Sequence, residues 1–517
     1  MSDSSLLSAG LEDLVIGLVA PVGTDLDPVC RALASSFERL GYSSHQVRLS
    51  KHLDEVRIPL KLDLDFTNEQ ERYDKYMTAG NAVRKAMGRG DALSMIAVGA
   101  MREFRKSSTK SKHSFILRSL KHQDEVKSLR NIYGPAFVLF SLASSRTARV
   151  NHLASKICKT HQEFDKSKYL PDAERLINRD QQEMGDPMGQ NVRKVFPMAD
   201  FFIDVDYGME AAVKRLVELL LGNVFITPTR SEQGMFLAHA SAWRSASLQR
   251  QVGAVIATQD GSVISVGTNE VAKPGGGLYW EGDDPDSRDF KRGGEINDDM
   301  KNRMFVEVVQ RILISGMCHQ KNDDGSDHEL AGEEDAQKIA QWLIKNGHMD
   351  NTRLMSVIEF GRCVHAEMAA LMDAARRGVA VNESFLFSTT FPCHECARHI
   401  VAAGIKKVYY IEPYPKSLVN ELYPDSIRIE GEEAGEHVSF VPFVGVAPRR
   451  YQDVFKLGDL DRKVLLQNAH DWKSGVATPR LGEYPNRTQK INMATEEAAI
   501  NEFSLAFERI PHGNNRT

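Results

Sequence analysis

The chain has 517 residues, a formal net charge of −5 at pH 7, 42% hydrophobic residues and 26% charged ones. That length exceeds what one ordinary hydrophobic core organises, so two or more domains are expected. The mild acidic balance argues against a surface built to hold a long polyanion, so nucleic acid is not the expected partner.

Six cysteines (30, 158, 318, 363, 393 and 396) are too dispersed for a disulfide framework, and two of them form a Cys-x-x-Cys pair. No apolar run is long enough to span a bilayer, and MSDSSLLSAGLEDLV lacks the basic start and apolar core of a secretory signal. A cytoplasmic protein without a membrane partner is expected.

In chain order, an apolar run from Leu14 to Ala20 predicts a strand. A helix follows over Asp27–Leu40, closed by Gly41, and then a strand over Ser44–Leu49. Further strands are expected at Ser94–Val98, Ala136–Ser141 and Phe201–Val205, and a helix at Met209–Leu221. The break at Thr227-Pro228-Thr229 places a domain boundary near residue 225.

The second domain, 226–450, opens with a helix over Glu232–Ser245. Asp260-Gly261 then turns a hairpin between strands Gly253–Thr258 and Val263–Thr268. An insertion over about 271–360 carries a helix at Lys301–Ile314 and a polar, acidic stretch, Asn322–Asp335, that reads as mobile. Regular structure resumes with a helix at His365–Arg377, a strand at Ser384–Thr389, a helix at Cys393–Ala403 and a strand at Lys407–Ile411. The extension 451–517 is polar and weakly periodic.

The chemistry concentrates in His365-Ala366-Glu367 and Pro392-Cys393-His394-Glu395-Cys396, which flank a strand. Cysteines three apart on a helical turn share a face. With His365 they make three ligands for Zn²⁺ and leave a fourth position open, which is the arrangement of a catalytic rather than a structural site. Glu367, two residues from a ligand, is placed to move protons as a general acid/base. The alternative is a closed structural zinc that takes His394 or His399 as its fourth ligand. Both histidines read better as surface or packing residues, and Cys363 as a structural thiol. The pattern is the His-x-Glu … Pro-Cys-x-x-Cys signature of zinc nucleobase deaminases, in which hydroxide attacks C4 of cytosine and ammonia leaves.

From about Met235 to Tyr414 the chain resembles the deoxycytidylate deaminase family. The resemblance runs through Gln251-Val252-Gly253-Ala254-Val255-Ile256, Val266-Gly267-Thr268-Asn269, the two motifs above, and Gly404-Ile405-Lys406-Lys407-Val408-Tyr409-Tyr410. It implies a cytidine deaminase-like α/β/α sandwich, a deoxycytidine nucleotide as substrate and a homo-oligomer. It also implies that Asn269 holds the deoxyribose and that Tyr414 lines the nucleotide pocket. Where the family has an aromatic residue, asparagine and glycine, this sequence has Thr268-Asn269-Glu270. Arg250, Lys273 and Lys416 are the cations considered for the phosphates.

The first domain, 1–225, resembles the P-loop kinase fold, an α/β parallel sheet. Gly17 and Gly23 stand at its nucleotide-binding loop, but Leu26 occupies the lysine position and Asp27 the serine or threonine position. Arg175, Arg179 and Asp180 resemble a kinase lid yet read as a solvated helix face, and Arg102–Lys112 reads as an exposed loop. A broken P-loop domain ahead of a deoxycytidylate-type deaminase resembles the bacterial anti-phage dCTP deaminases. That layout implies conversion of dCTP to dUTP in antiviral defence, restrained by the first domain until a phage-derived trigger appears. The rivals are a dCMP deaminase serving thymidylate synthesis, a nucleic-acid editing deaminase, and a non-catalytic zinc sensor.

Overall fold

The computed structural model describes residues 13–182, 188–315, 320–321, 327–328, 332–350, 352–414, 417–429, 437–457, 462–463, 466 and 488–508. They form two compact units. The first takes the chain as far as Phe236 and again from Val441; the second takes it from Leu237 to Ile429 and up to Phe440. Both are mixed α/β with sheets rich in parallel pairs. Among the described residues, no helix is long and apolar enough to cross a membrane.

In the first unit, β1 (Leu14–Val19) is buried along its whole length. It pairs in parallel with β3 (His113–Arg118) on one side and β4 (Phe137–Ala143) on the other. A fully apolar strand needs cover on both faces, and strand alternation supplies two cores. Val15 and Val19 face one with Phe115, Leu117 and Leu139; Leu14, Ile16 and Leu18 face the other with Val138 and Phe140.

Helix α1 (Leu26–Glu38) starts where the Asp25 carboxylate accepts from the Asp27 amide. Beyond it, Gly41 at φ +85° turns the chain into β2 (Ser43–Arg48). With β5 (Phe201–Asp204), the sheet order is β5-β4-β1-β3-β2, so the chain winds outwards on both sides of β1. A short antiparallel edge strand, Gly445–Val446, pairs with β5 from far along the chain.

The expected strand at Ser94–Val98 is instead part of helix α3 (Ala92–Ser107), which follows α2 (Glu69–Met87). Every residue from Ala92 to Val98 is buried, and a short apolar run buried all round looks the same in sequence whether strand or helix. Helix α3 also absorbs the first half of the stretch read as an exposed loop. Arg105 is partly buried, donating to Asp13 at 2.7 Å and to Glu496 at 2.9 and 3.1 Å.

Asp180, read as part of a solvated face, is likewise buried, and its Oδ2 accepts from the Val22 amide at 3.0 Å. Arg175 and Arg179, on the same helix (Leu170–Gln182), both pair with Asp74. The extension carries two helices, Pro448–Phe455 and Thr488–Glu508. On the latter, Ile500, Phe503 and Phe507 pack against the first unit's core.

After the helix Arg230–Ala242, the second unit forms the hairpin β6 (Gly253–Ala257) and β7 (Val263–Thr268). The strand β10 (Phe385–Thr390) pairs antiparallel with β6 and parallel with β11 (Lys407–Glu412). Two short strands, β8 (Glu270–Val271) and β9 (Cys363–Val364), pair with each other, bracketing the insertion. Within it the predicted helix runs over Ile296–Ile314, and a second helix, Glu333–Lys345, begins in the acidic stretch that reads as mobile in sequence. Residues 322–326 and 329–331 of that stretch lie outside the described residues.

Glu496 also accepts from the buried Tyr133 hydroxyl at 2.9 Å, so one carboxylate gathers two donors. Glu496→Ala should lower stability by about 2–3 kcal/mol, the worth of charge-assisted hydrogen bonds, in a chemical denaturation series. An unchanged midpoint would mean that the C-terminal helix does not hold the first unit together.

Candidate metal centre and its cavity

Two helices begin at the same place. Helix α11 (Ala366–Arg377) has His365 at its N-cap position, and α12 (His394–Ala402) has Cys393 at its N-cap. The Cys393 sulfur accepts from the Cys396 amide at 3.4 Å, which replaces the usual oxygen cap. Close approach of backbone fixes α11 against β7. A Cβ on Gly267 would lie 2.0 Å from the Ala366 carbonyl and 2.5 Å from the Ala370 amide, so only glycine fits.

His365 Nδ1 lies 3.2 Å from Cys393 Sγ and 3.4 Å from Cys396 Sγ. All three ligand atoms fall within 4.8 Å of one another. A tetrahedral zinc with ordinary Zn–N and Zn–S lengths would hold nitrogen and sulfur about 3.5 Å apart. One imidazole and two thiols at this spacing therefore fit zinc by both distance and donor chemistry.

Glu367 is buried in the first turn of α11, 4% exposed. Ser388 Oγ donates to its Oε1 at 2.9 Å, and Cys396 Sγ lies 3.5 Å from its Oε2. Burial, reinforced by the charge on Cys393, raises its pKa above the usual carboxylate range. The Cys393 thiol is lowered to about 4, first by its hydrogen bond with Cys396 and then by His365. His365 is raised to about 9, chiefly by its bond to Cys393. Cys396, bonded to Cys393 and buried, is pushed well up.

His365, Glu367 and Cys393 line a cavity of about 240 Å³. Asn269, Arg250, Tyr414 and Cys363 all line it. The Asn269 side chain accepts from the Val252 amide at 2.7 Å and donates to the Arg250 carbonyl at 2.8 Å, which leaves one N–H and one lone pair for a ligand. Arg250 is half exposed, 3.7 Å from Glu412 and 5.7 Å over the Tyr414 ring. Burial pushes the Cys363 thiol up to about 12, so it stays protonated.

Lys273 lies elsewhere: it pairs with Asp283 and lines a separate hollow beside Arg376. Lys416 lies outside the described residues. His399 Nδ1 is 2.8 Å from the Glu395 carbonyl, and His394 sits near Glu359 and Glu395, away from the trio. Gly17 is inside β1, where a Cβ would meet Leu120 at 2.7 Å, whereas Gly23 at φ +91° borders a cavity in the first unit.

Three features at or beside the cavity escaped sequence reasoning. Glu270, at the departure from the family pattern, is 2% exposed and accepts from the Ala246 amide at 2.9 Å, anchoring β8. Arg362, just ahead of β9, donates to Asp289 at 2.8 Å, and Asn297 accepts from the Phe360 amide at 3.3 Å. Asp289 and Asn297 belong to the insertion, so that segment forms part of the cavity wall. The only sequence signal was polar residues in a segment with loop composition.

Metal uptake at this trio should release protons. Below pH 9, His365 carries a proton that it must lose to coordinate, and so does Cys396; Cys393 does not. Calorimetry of zinc binding at pH 7, in buffers of different ionisation enthalpy, should show about two protons released, with affinity rising between pH 6 and 9. Zinc binding without proton release would show that this trio is not the ligand set.

Residues 228–412 match the family profile "Cytidine and deoxycytidylate deaminase zinc-binding region". The deoxycytidylate deaminase of Enterobacteria phage T2 is 27% identical over 182 residues, covering 35% of this chain and 79% of that protein. ComE operon protein 2 of Bacillus subtilis (strain 168) is 42% identical over 53 residues, and the chain spans 28% of its length. The chain also spans 28% of the deoxycytidylate deaminase of Enterobacteria phage T4, at 41% identity. Among solved structures, dCMP deaminase from the cyanophage S-TIM5, in complex with dCMP and dUMP, aligns with 42% of this chain and 99% of its own at 19% identity and a TM-score of 0.22. Residues 228–412 are therefore similar to the zinc-binding region of cytidine and deoxycytidylate deaminases, with deoxycytidylate deaminases among the relatives of that stretch.

Proposed function

We propose that the second unit hydrolytically deaminates the cytosine base of a deoxycytidine nucleotide, consuming water and releasing ammonia. The observation that carries this reading is the buried Glu367 carboxyl beside the His365, Cys393 and Cys396 trio, with Glu367, His365 and Cys393 lining one cavity. His365, Cys393 and Cys396 would hold zinc, which when bound supplies Lewis-acid chemistry and lowers the pKa of water.

The remaining work falls to the chain. Ser388 donates to Glu367 Oε1 and the Cys396 thiol to Oε2; once Cys396 gave up its proton to hold a metal, Oε2 would be the oxygen that exchanges protons with the cytosine ring nitrogen and the departing amine. A carboxyl whose pKa is raised by burial is suited to both taking and giving that proton near neutral pH. Asn269 would orient the sugar with its remaining N–H and lone pair, against a wall formed by Phe391 and Tyr414. Arg250, half exposed at the cavity, would meet phosphate.

Within this reading dCTP is the substrate, its conversion to dUTP depleting the precursor for phage DNA synthesis. What supports the triphosphate is the layout: a parallel-sheet unit with a broken phosphate loop joined to the deaminase stretch, and an insertion that adds polar residues to the cavity wall. The dCMP reading is favoured by a different observation, the names of the relatives that match residues in this stretch.

Purified zinc-loaded protein should release ammonia from one of these nucleotides, and Glu367→Gln should cut turnover by about 10²–10⁴-fold while retaining zinc and thermal stability. dUTP from dCTP supports the defence reading, and product from dCMP alone replaces it with the housekeeping one. Full activity in Glu367→Gln would sink the assignment of the proton carrier.

A further inference from the structure

Residues 245–252 lie in neither helix nor strand, yet they supply Ser247, Gln249, Arg250 and Val252 to the wall of the metal-site cavity. A segment without a ladder has to satisfy its backbone groups by other means. Two consecutive residues elsewhere in the chain, Asn269 and Glu270, hold both of its ends. At the far end the Asn269 side chain accepts from the Val252 amide and donates to the Arg250 carbonyl. At the near end Glu270 Oε2 accepts from the Ala246 amide at 2.9 Å, and the Ser245 hydroxyl donates to the Asn269 carbonyl at 2.7 Å. Ser245 also ties the segment to itself. Its Oγ accepts from the Ser247 amide at 3.2 Å, and its carbonyl accepts from the Gln251 side chain at 2.8 Å.

The Asn269 side chain lines the cavity and has capacity left for a ligand, whereas Glu270 does not line it. Glu270 is 2% exposed, an environment that acidic side chains rarely occupy. Its second oxygen, Oε1, accepts from the Val271 amide at 2.9 Å, so backbone amides occupy both oxygens. In the β8–β9 ladder it stands opposite Val364. A glycine at this position, as in the deoxycytidylate deaminase pattern, would leave the Ala246 amide without this acceptor. The buried carboxylate therefore reaches the cavity only through the segment it fastens. Arg250 depends on that fastening most. Its side chain is half exposed, so little besides its own backbone fixes where the guanidinium stands.

We propose that Glu270 is a positioning residue for substrate binding. By fixing the start of residues 245–252 it sets the place of Arg250, the cation assigned to phosphate. The proposal rests on the deoxycytidine nucleotide reading of the cavity. Glu270 touches neither the metal ligands' side chains nor the proton carrier, so its loss is felt in binding and not in the chemical step.

Glu270→Gln keeps the size of the side chain. A carboxamide has one accepting oxygen and a donating nitrogen, so one of the two amides loses its partner whichever way the group turns. Kinetics of the full-length zinc-loaded protein should show KM for dCMP or dCTP raised by about tenfold, the loss of one hydrogen bond to a charged group. The kcat and the zinc content should stay unchanged, which is the mark of lost uniform binding. Hydrogen exchange read by mass spectrometry should quicken in peptides covering 245–252 and stay the same over 394–402. Should this variant not fold, Ser245→Ala, which removes the neighbouring bond to the Asn269 carbonyl, should raise KM in the same way. Active wild-type protein whose KM the variant leaves unchanged, unchanged exchange over 245–252, or a joint fall of kcat and zinc content would overturn the proposal and leave the functional reading standing. Wild-type protein inactive on both nucleotides would overturn that reading, and this proposal with it.

Discussion

One imidazole nitrogen and two sulfurs brought within a few ångströms of each other set the terms for the second unit. Metal-ligand geometry tolerates little error, so the elements that deliver His365, Cys393 and Cys396 must be fixed by packing before any ion arrives. Helix α11 is held by the close approach that Gly267 permits. Helix α12 is fixed by the parallel pair β10–β11, which delivers the chain to Pro392. The β8–β9 ladder, anchored by buried Glu270, then brings the chain out of the insertion directly into His365. Positioning of Glu367 follows from the same helix, whose first turn carries it two residues beyond His365 and buries it against Ser388.

Burial governs the electrostatics of this site in the same way. A carboxyl at the start of a helix facing solvent would ionise with an ordinary pKa. Enclosed beside Ser388 and the sulfurs, Glu367 resists ionisation, and Cys393 carries the negative charge in its stead. The coupling between these groups arises because several titrating atoms share one small, poorly solvated volume. The insertion contributes to this enclosure through Asp289 and Asn297 on the cavity wall.

The core of this arrangement was legible because its signals are local. Fixed spacing marks the ligand trio, the Asp260-Gly261 turn marks the hairpin, and uninterrupted apolar runs mark β1 and β4. What escaped depended on long-range partners. The run Ala92–Val98 became helical because neighbouring elements bury it all round, which short periodicity cannot register. Asp180 and Arg105 looked like surface charges, and their burial is explained only by an amide 158 residues away and a carboxylate 391 residues away. Lys273 was drawn off by Asp283, in a loop whose course composition alone does not specify. The C-terminal helix buries Glu496 and half-buried apolar residues against another part of the chain, so its own sequence carries a weak pattern.

The edge strand Gly445–Val446 has a consequence for how the molecule is made. It completes a sheet whose other strands end at Asp204, so the entire second unit is threaded between two parts of the first. A ribosome producing this chain would release the five parallel strands long before their last neighbour exists. Until then β5 presents an unpaired edge, a template for mispairing. The second unit, by contrast, is almost continuous in sequence and can close its own core while the first waits for its last strand. Sequence separation of this kind slows the last step of folding. Its cost falls on the first unit, while the three metal-binding side chains lie within a single short stretch of 32 residues, His365 to Cys396.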